Sequence, residues 1–156
     1  MEGKASQSNP DHKTYLGFDY GQKFIGVAVG QRVTRTASAL ETIRVTRKEA
    51  LWNAVTRLTE TWQPSAFVVG LPYHYEGEEN PIVQPILGFC RQLEGRYHLP
   101  VYLMDETLST RESQEIFYQR RSKRSTRFID IKDQLAAQLI LQTWLNHTAE
   151  NFSDVI

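Results

Sequence analysis

The feature that most constrains this chain is a pair of apolar, β-prone runs, Tyr15 to Gly21 and Phe24 to Gly30, separated by a Gly-containing turn. The first run carries an acid, Asp19, among residues that should pair inside a sheet. A carboxylate in such a place is costly unless something positive meets it. The strand itself supplies no Lys or Arg beside Asp19, which makes a bound metal ion a candidate for the compensating charge.

Two more acids sit at similar junctions. Val101-Tyr102-Leu103-Met104 reads as a buried strand and ends in Asp105-Glu106. Further on, Asp133 opens a pattern in which Leu135, Ala136, Ala137, Leu139, Ile140 and Trp144 recur at helical spacing. At about 3.6 residues per turn, Asp133 shares a face with Ala137, Ile140 and Trp144, so its carboxylate turns toward the core side. Asp19, Glu106 and Asp133 can thus converge on one edge of a sheet.

The rest of the chain supplies that sheet. Strands are expected at about 14 to 20, 24 to 30 and 33 to 43, joined closely enough to form an antiparallel meander, with the more polar third strand at the edge. Thr46 to Glu49 has capping-box spacing, and Ala50, Leu51, Ala54, Val55, Leu58 and Trp62 trace a helical stripe that Pro64 ends. Ala66 to Val69 is a compact buried strand. Asn80-Pro81 resembles a helix start, although Pro85 should kink that helix or delay it, and Gly95 should close it. After the strand at 101 to 105, a second capping box at Ser109 to Glu112 predicts a helix toward Tyr118, and Asp130 caps a last helix to about His147. Antiparallel strands ahead of βα units imply a mixed five-stranded sheet with helices on both faces.

Composition bounds the class. A chain of 156 residues forms one domain with a single core, and 40% hydrophobic content argues against disorder. The polar segment 1–13 reads as a loose tail, 14–148 as the domain and 149–156 as a C-terminal tail. No apolar run approaches the ~18 residues of a membrane span. A lone Cys90 and an N-terminus without the apolar core of a secretory signal fit the cytoplasm.

Eighteen basic and eighteen acidic residues cancel, so any attraction to nucleic acid must come from clustering. Arg120, Arg121, Lys123, Arg124 and Arg127 form such a cluster with no acid among them. It is either a solvated loop or a grip on a phosphate backbone. The acids also have ordinary readings: Asp19 could satisfy turn amides, Glu106 could be an exposed residue after a strand, and Asp133, three positions after Asp130, could complete a helix N-terminus. Acids at strand ends without Cys or His at zinc spacing suit a hard cation such as Mg²⁺ better than zinc. Two such ions about 3.5 to 4 Å apart would serve an in-line phosphoryl displacement.

In order and spacing, Phe18-Asp19-Tyr20-Gly21 with Ile25-Gly26-Val27-Ala28, Val69-Gly70-Leu71-Pro72 with Gly77, Asp105-Glu106-Thr107-Leu108-Ser109-Thr110, and Asp133-Gln134-Leu135-Ala136-Ala137 resemble the YqgF family, also called RuvX. The resemblance runs from about Tyr15 to Trp144. It implies a ribonuclease H-like fold in which Asp19, Glu106 and Asp133 bind Mg²⁺ or Mn²⁺ for phosphodiester hydrolysis. The implied role is trimming the 5′ end of precursor 16S rRNA, with Holliday junction resolution or non-catalytic nucleic-acid binding as alternatives. Implied partners are precursor rRNA or branched DNA, bound by a monomer or homodimer, with no membrane. Family members commonly carry Asn and Asp where this chain has His74 and Glu76, Arg where it has Thr107, and an apolar residue where it has Lys132. Lys132 joins Arg121, Lys123 and Arg124 as a candidate phosphate contact. The Asp-x-Gly opening also resembles the phosphate loop of actin-like ATPases and sugar kinases, but no second Gly-rich loop accompanies it here.

Overall fold

The computed structural model describes residues 13–72, 81–105 and 128–148. Its centre is a five-stranded sheet of β1 (Thr14–Asp19), β2 (Phe24–Gln31), β3 (Thr36–Arg44), β4 (Ala66–Leu71) and β5 (Val101–Asp105), in the order β3-β2-β1-β4-β5. The first three strands form the expected antiparallel meander, β4 and β5 add in parallel, and β3 is an edge strand. The mixed sheet is therefore as the sequence implies.

Strand alternation sorts the side chains to two faces. Leu16, Phe18, Ile25, Val27, Phe67 and Val69 turn to one side and are buried with residues of α1 (Lys48–Trp62) and α2 (Val83–Tyr97). That layer is largely aromatic: Phe18 meets Phe89 edge-on at 5.4 Å, and Phe89 stacks on Trp52 at 5.5 Å. Tyr15, Ala28, Ala66, Val68 and Met104 turn to the other side, where α3 (Phe128–Thr148) packs through Ala137, Ile140, Leu141, Trp144 and Leu145.

Small residues let α3 lie close to the sheet. A Cβ on Gly17 would stand 2.9 Å from the Leu141 Cβ. Two glutamines of α3 also reach the edge strand, whose free backbone groups would otherwise be open for pairing. Gln142 Oε1 accepts from the Ala37 amide at 3.0 Å, and the buried Gln138 donates Nε2 to the Ala37 carbonyl at 2.8 Å.

Several element ends differ from the sequence reading. β3 begins at Thr36 rather than 33, because Arg35 closes a tight turn in the left-handed region (φ 56°) and donates its amide to the Gln31 carbonyl. The N-cap of α1 is Arg47, not Thr46, and no side chain caps it. The Val45 amide still bonds the Lys23 carbonyl, so the chain leaves the sheet late. α2 starts at Val83, so Pro85 occupies its first turn, where a missing N–H is harmless. The same helix runs past Gly95 to Tyr97, whose ring packs on Phe67 and whose hydroxyl bonds Thr56. α3 includes Asp130 within its first turn, so Asp130 is not the cap. The helix expected from Ser109 to Tyr118 lies outside the described residues.

Candidate active site

Asp19 is the last residue of β1 and the register partner of Gly26 on β2, which sets their Cα atoms about 4.5 to 5.5 Å apart. Asp19 shares its face of β1 with Tyr15 and Gly17, so it belongs to the side covered by α3. The preceding Phe18 is fully buried on the opposite side.

Gly26 brings the second acid to the first. The backbone of Asp133 rests directly on it: a Cβ at Gly26 would overlap the Asp133 carbonyl and stand 2.9 Å from the Gln134 amide nitrogen. No side chain larger than hydrogen fits there without moving α3. Asp19, an immediate neighbour of Gly26 across the ladder, and Asp133, pressed onto it from above, thus share one end of the sheet. Asp133 is half-buried while Ala137, Ile140 and Trp144 on its face are buried, which agrees with the helical spacing.

Gly26 appears in the sequence motif, but its role there is invisible until α3 is placed. Gly21 has a separate explanation. A Cβ on it would approach the Phe24 carbonyl oxygen to 2.5 Å, so the turn itself requires glycine. A third residue of this row is Thr42, opposite Gly26 on β3, whose buried hydroxyl has no hydrogen-bond partner among the described residues. Thr42 carried no signal in the sequence, since only strand pairing puts it in the row of Asp19 and Gly26.

Among the described residues, no group of three or more His, Cys, Asp or Glu forms a metal cluster. The third expected acid, Glu106, directly follows β5 in the sequence and lies outside the described residues, and Arg121, Lys123, Arg124, His74, Glu76 and Thr107 also lie outside them. Lys132 is described and exposed, next to Asp133. The side chains of both aspartates offer carboxylate oxygens, a donor type that suits a hard divalent cation. Cys90 belongs to α2, and burial raises its thiol to about 11, which leaves it protonated and unreactive near neutral pH. No described helix is long and apolar enough to cross a membrane.

A family model described as RuvX, Holliday junction resolvase, matches residues 13–147. A protein of Methylococcus capsulatus, named as a candidate pre-16S rRNA nuclease, is 57% identical over 133 residues, covering 85% of this chain and 88% of that protein. One from Hydrogenovibrio crunogenus with the same name is 40% identical over 139 residues, 89% of this chain and 98% of its own. Among solved structures, Thermus thermophilus RuvC in complex with a Holliday junction substrate aligns with a TM-score of 0.65 at 17% identity, over 90% of this chain and 97% of that one. The fowlpox virus Holliday junction resolvase aligns at 0.54 and 15% identity, over 86% and 99%. At such identities these likenesses speak for the fold alone, and the fold is ribonuclease H-like.

Proposed function

Because this chain belongs to the RuvX family, we propose that it is a divalent-metal-dependent nuclease that hydrolyses phosphodiester bonds and trims the 5′ end of precursor 16S rRNA in the cytoplasm. The observation that carries this reading is the meeting of Asp19 and Asp133 at Gly26. Two acids at one sheet end offer oxygen donors that match Mg²⁺ or Mn²⁺. Asp19, Asp133 and Glu106 would hold the cation. Once bound, such a cation stabilises the charge that develops on the phosphoryl oxygens and raises the nucleophilicity of water.

The chain's own residues do the positioning. β1 fixes Asp19 by pairing on both sides, to β2 and to β4. α3 fixes Asp133 through its packing on Gly17 and Gly26 and through the Gln138 and Gln142 bonds to β3. Rigid placement of the acids lowers the reorganisation needed at the moment of reaction. Lys132, exposed beside Asp133, is suited to a substrate phosphate, and Arg121, Lys123 and Arg124 extend the same role.

The test is cleavage by purified protein, with Mg²⁺ and with Mn²⁺, of precursor 16S rRNA, single strands and four-way DNA junctions in parallel. Metal-dependent shortening of the rRNA 5′ end supports the reading. Symmetric cutting of the junction alone would instead favour resolution, and binding without cleavage would favour a non-catalytic module.

A further inference from the structure

We propose that the end of the β2–β3 ladder beside the two aspartates is a binding surface for the nucleic-acid strand flanking the cut site. Phe24 supplies a stacking platform for a base, and Lys23, Arg44, Arg47 and Lys48 hold phosphates. The proposal rests on the nuclease reading above and deepens it.

The strand register carries the argument. Asp19, Gly26 and Thr42 lie in one row across β1, β2 and β3, and the next row out pairs Phe24 with Arg44. That row is two residues further along the ladder, about 7 Å, and on the same face. Arg44 reaches this face only because of a β-bulge. Val27 pairs with Glu41 but Ala28 with Ala39, leaving Leu40 as an extra residue in β3. A bulge re-aims every side chain beyond it. Unbulged alternation from Ala37 and Ala39, on the α3 face, would have carried Glu41 and Ile43 there and turned Arg44 away. Instead Ile43 is buried with the α1 and α2 layer, and Glu41 bonds Arg57 of α1 at 2.8 Å.

The composition of the row fits a polyanion with exposed bases. Phe24 is a large apolar side chain left 44% exposed, with no aromatic partner among the described residues. Lys23, adjacent to it, has its carbonyl bonded by the Val45 amide, which draws the segment from Arg44 to Lys48 alongside. Lys23, Arg44, Arg47 and Lys48 are all exposed, and none pairs with an acid among the described residues. By contrast, Arg57 pairs with Glu41, and Arg96 lies over the Trp52 ring at 4.4 Å.

Helix α1 begins inside this cluster, at Lys48 with Arg47 as its N-cap, with no side chain capping its amides and one acid, Glu49, in its first turn. Two cations at the positive end of a helix are unfavourable by themselves. Together with the open amides they become favourable when an anion such as a phosphate binds. Clustered cations grip a backbone without reading sequence, and an exposed ring accepts any base face. The partner is therefore a nucleic-acid strand with unstacked bases rather than a continuous duplex.

The experiment measures binding of a labelled single-stranded RNA and of a duplex of the same sequence, in EDTA, across a range of salt. Wild type is compared with Phe24→Ala, Phe24→Leu, Arg44→Ala, Arg44→Lys and the Arg47→Ala/Lys48→Ala pair, with melting curves to confirm folding. Phe24→Ala should weaken single-strand binding about tenfold, without rescue by Phe24→Leu and with little change on the duplex. Arg44→Ala and the double variant should each flatten the salt slope by about 0.7 to 0.9 log units for every phosphate they no longer neutralise, and Arg44→Lys should restore most of it. Folded variants that bind with wild-type affinity and slope, or a wild type that binds neither RNA, would overturn the surface. Cleavage by wild type in Mg²⁺ is scored separately. If the wild type cuts while the variants bind normally, the surface falls and the nuclease reading stands; weakened binding by the variants with no cutting by the wild type does the reverse.

Discussion

The two faces of the sheet are built on opposite plans. The face under α1 and α2 is filled by large rings, Phe18, Phe67, Trp52 and Phe89, whereas the face under α3 is thinned by Gly17, Gly26, Ala28, Gly30 and Ala37. Large rings bury much area and supply stability, and their spacing tolerates small adjustment. Small residues bury little themselves but let a helix backbone approach the strands closely. On the α3 face that closeness sets Asp133 against Gly26 beside Asp19. One face is organised for cohesion and the other for placement.

Substitutions can break this comparison. The largest effect is expected from Phe89→Ala, which removes a ring touching Phe18, Tyr20 and Trp52. It should destabilise the chain by about 3 to 5 kcal/mol in denaturant melts, with turnover unchanged where the protein remains folded. A large drop in turnover of the folded fraction would show that the aromatic face also positions the site. Asp19→Asn and Asp133→Asn should do the opposite. Each should lower single-turnover cleavage at least a hundredfold, roughly 2.7 kcal/mol, and leave the melting midpoint near wild type.

Gly26→Ala sits between these extremes and sharpens the contrast. The added methyl overlaps the Asp133 carbonyl, so α3 must shift. A decrease of about 1 to 3 kcal/mol in stability should accompany a drop in cleavage larger than that decrease explains. If Gly26→Ala cleaves normally, close approach on this face does not set the site. The smallest effect belongs to Thr42→Val. Replacing an unpartnered buried hydroxyl with a methyl should leave stability within about 1 kcal/mol or raise it. Reduced cleavage from that stable variant would show that the hydroxyl serves the site.

Much of this was legible beforehand because it depends on local patterning. Alternation in Tyr15 to Gly30, the stripe from Ala50 to Trp62 and the run Ala66 to Val69 each report a buried face, and burial dictates strand or helix directly. Element ends were less legible because they answer to distant partners. α2 continues past Gly95 because Tyr97 packs on Phe67 and bonds Thr56. Asp19 stands out in the sequence as an acid in an apolar strand and Asp133 as an acid at the start of an apolar helical stripe, and the structure sets Asp19 and the Asp133 backbone on either side of Gly26. Phe24, Thr42 and Arg44 carry no such signal, since an aromatic, a hydroxyl and a cation on strands are ordinary residues.

The sequence by itself determined the mixed α/β layering and the family, because hydrophobic period and motif order are written along the chain. The tertiary structure alone decided which residues share the aspartates' end of the sheet. A single extra residue, Leu40, reverses the facing of every position beyond it in β3. Whether Arg44 faces the row of the aspartates or the α1 and α2 side follows from that pairing register, a relation between two strands that neither strand encodes alone.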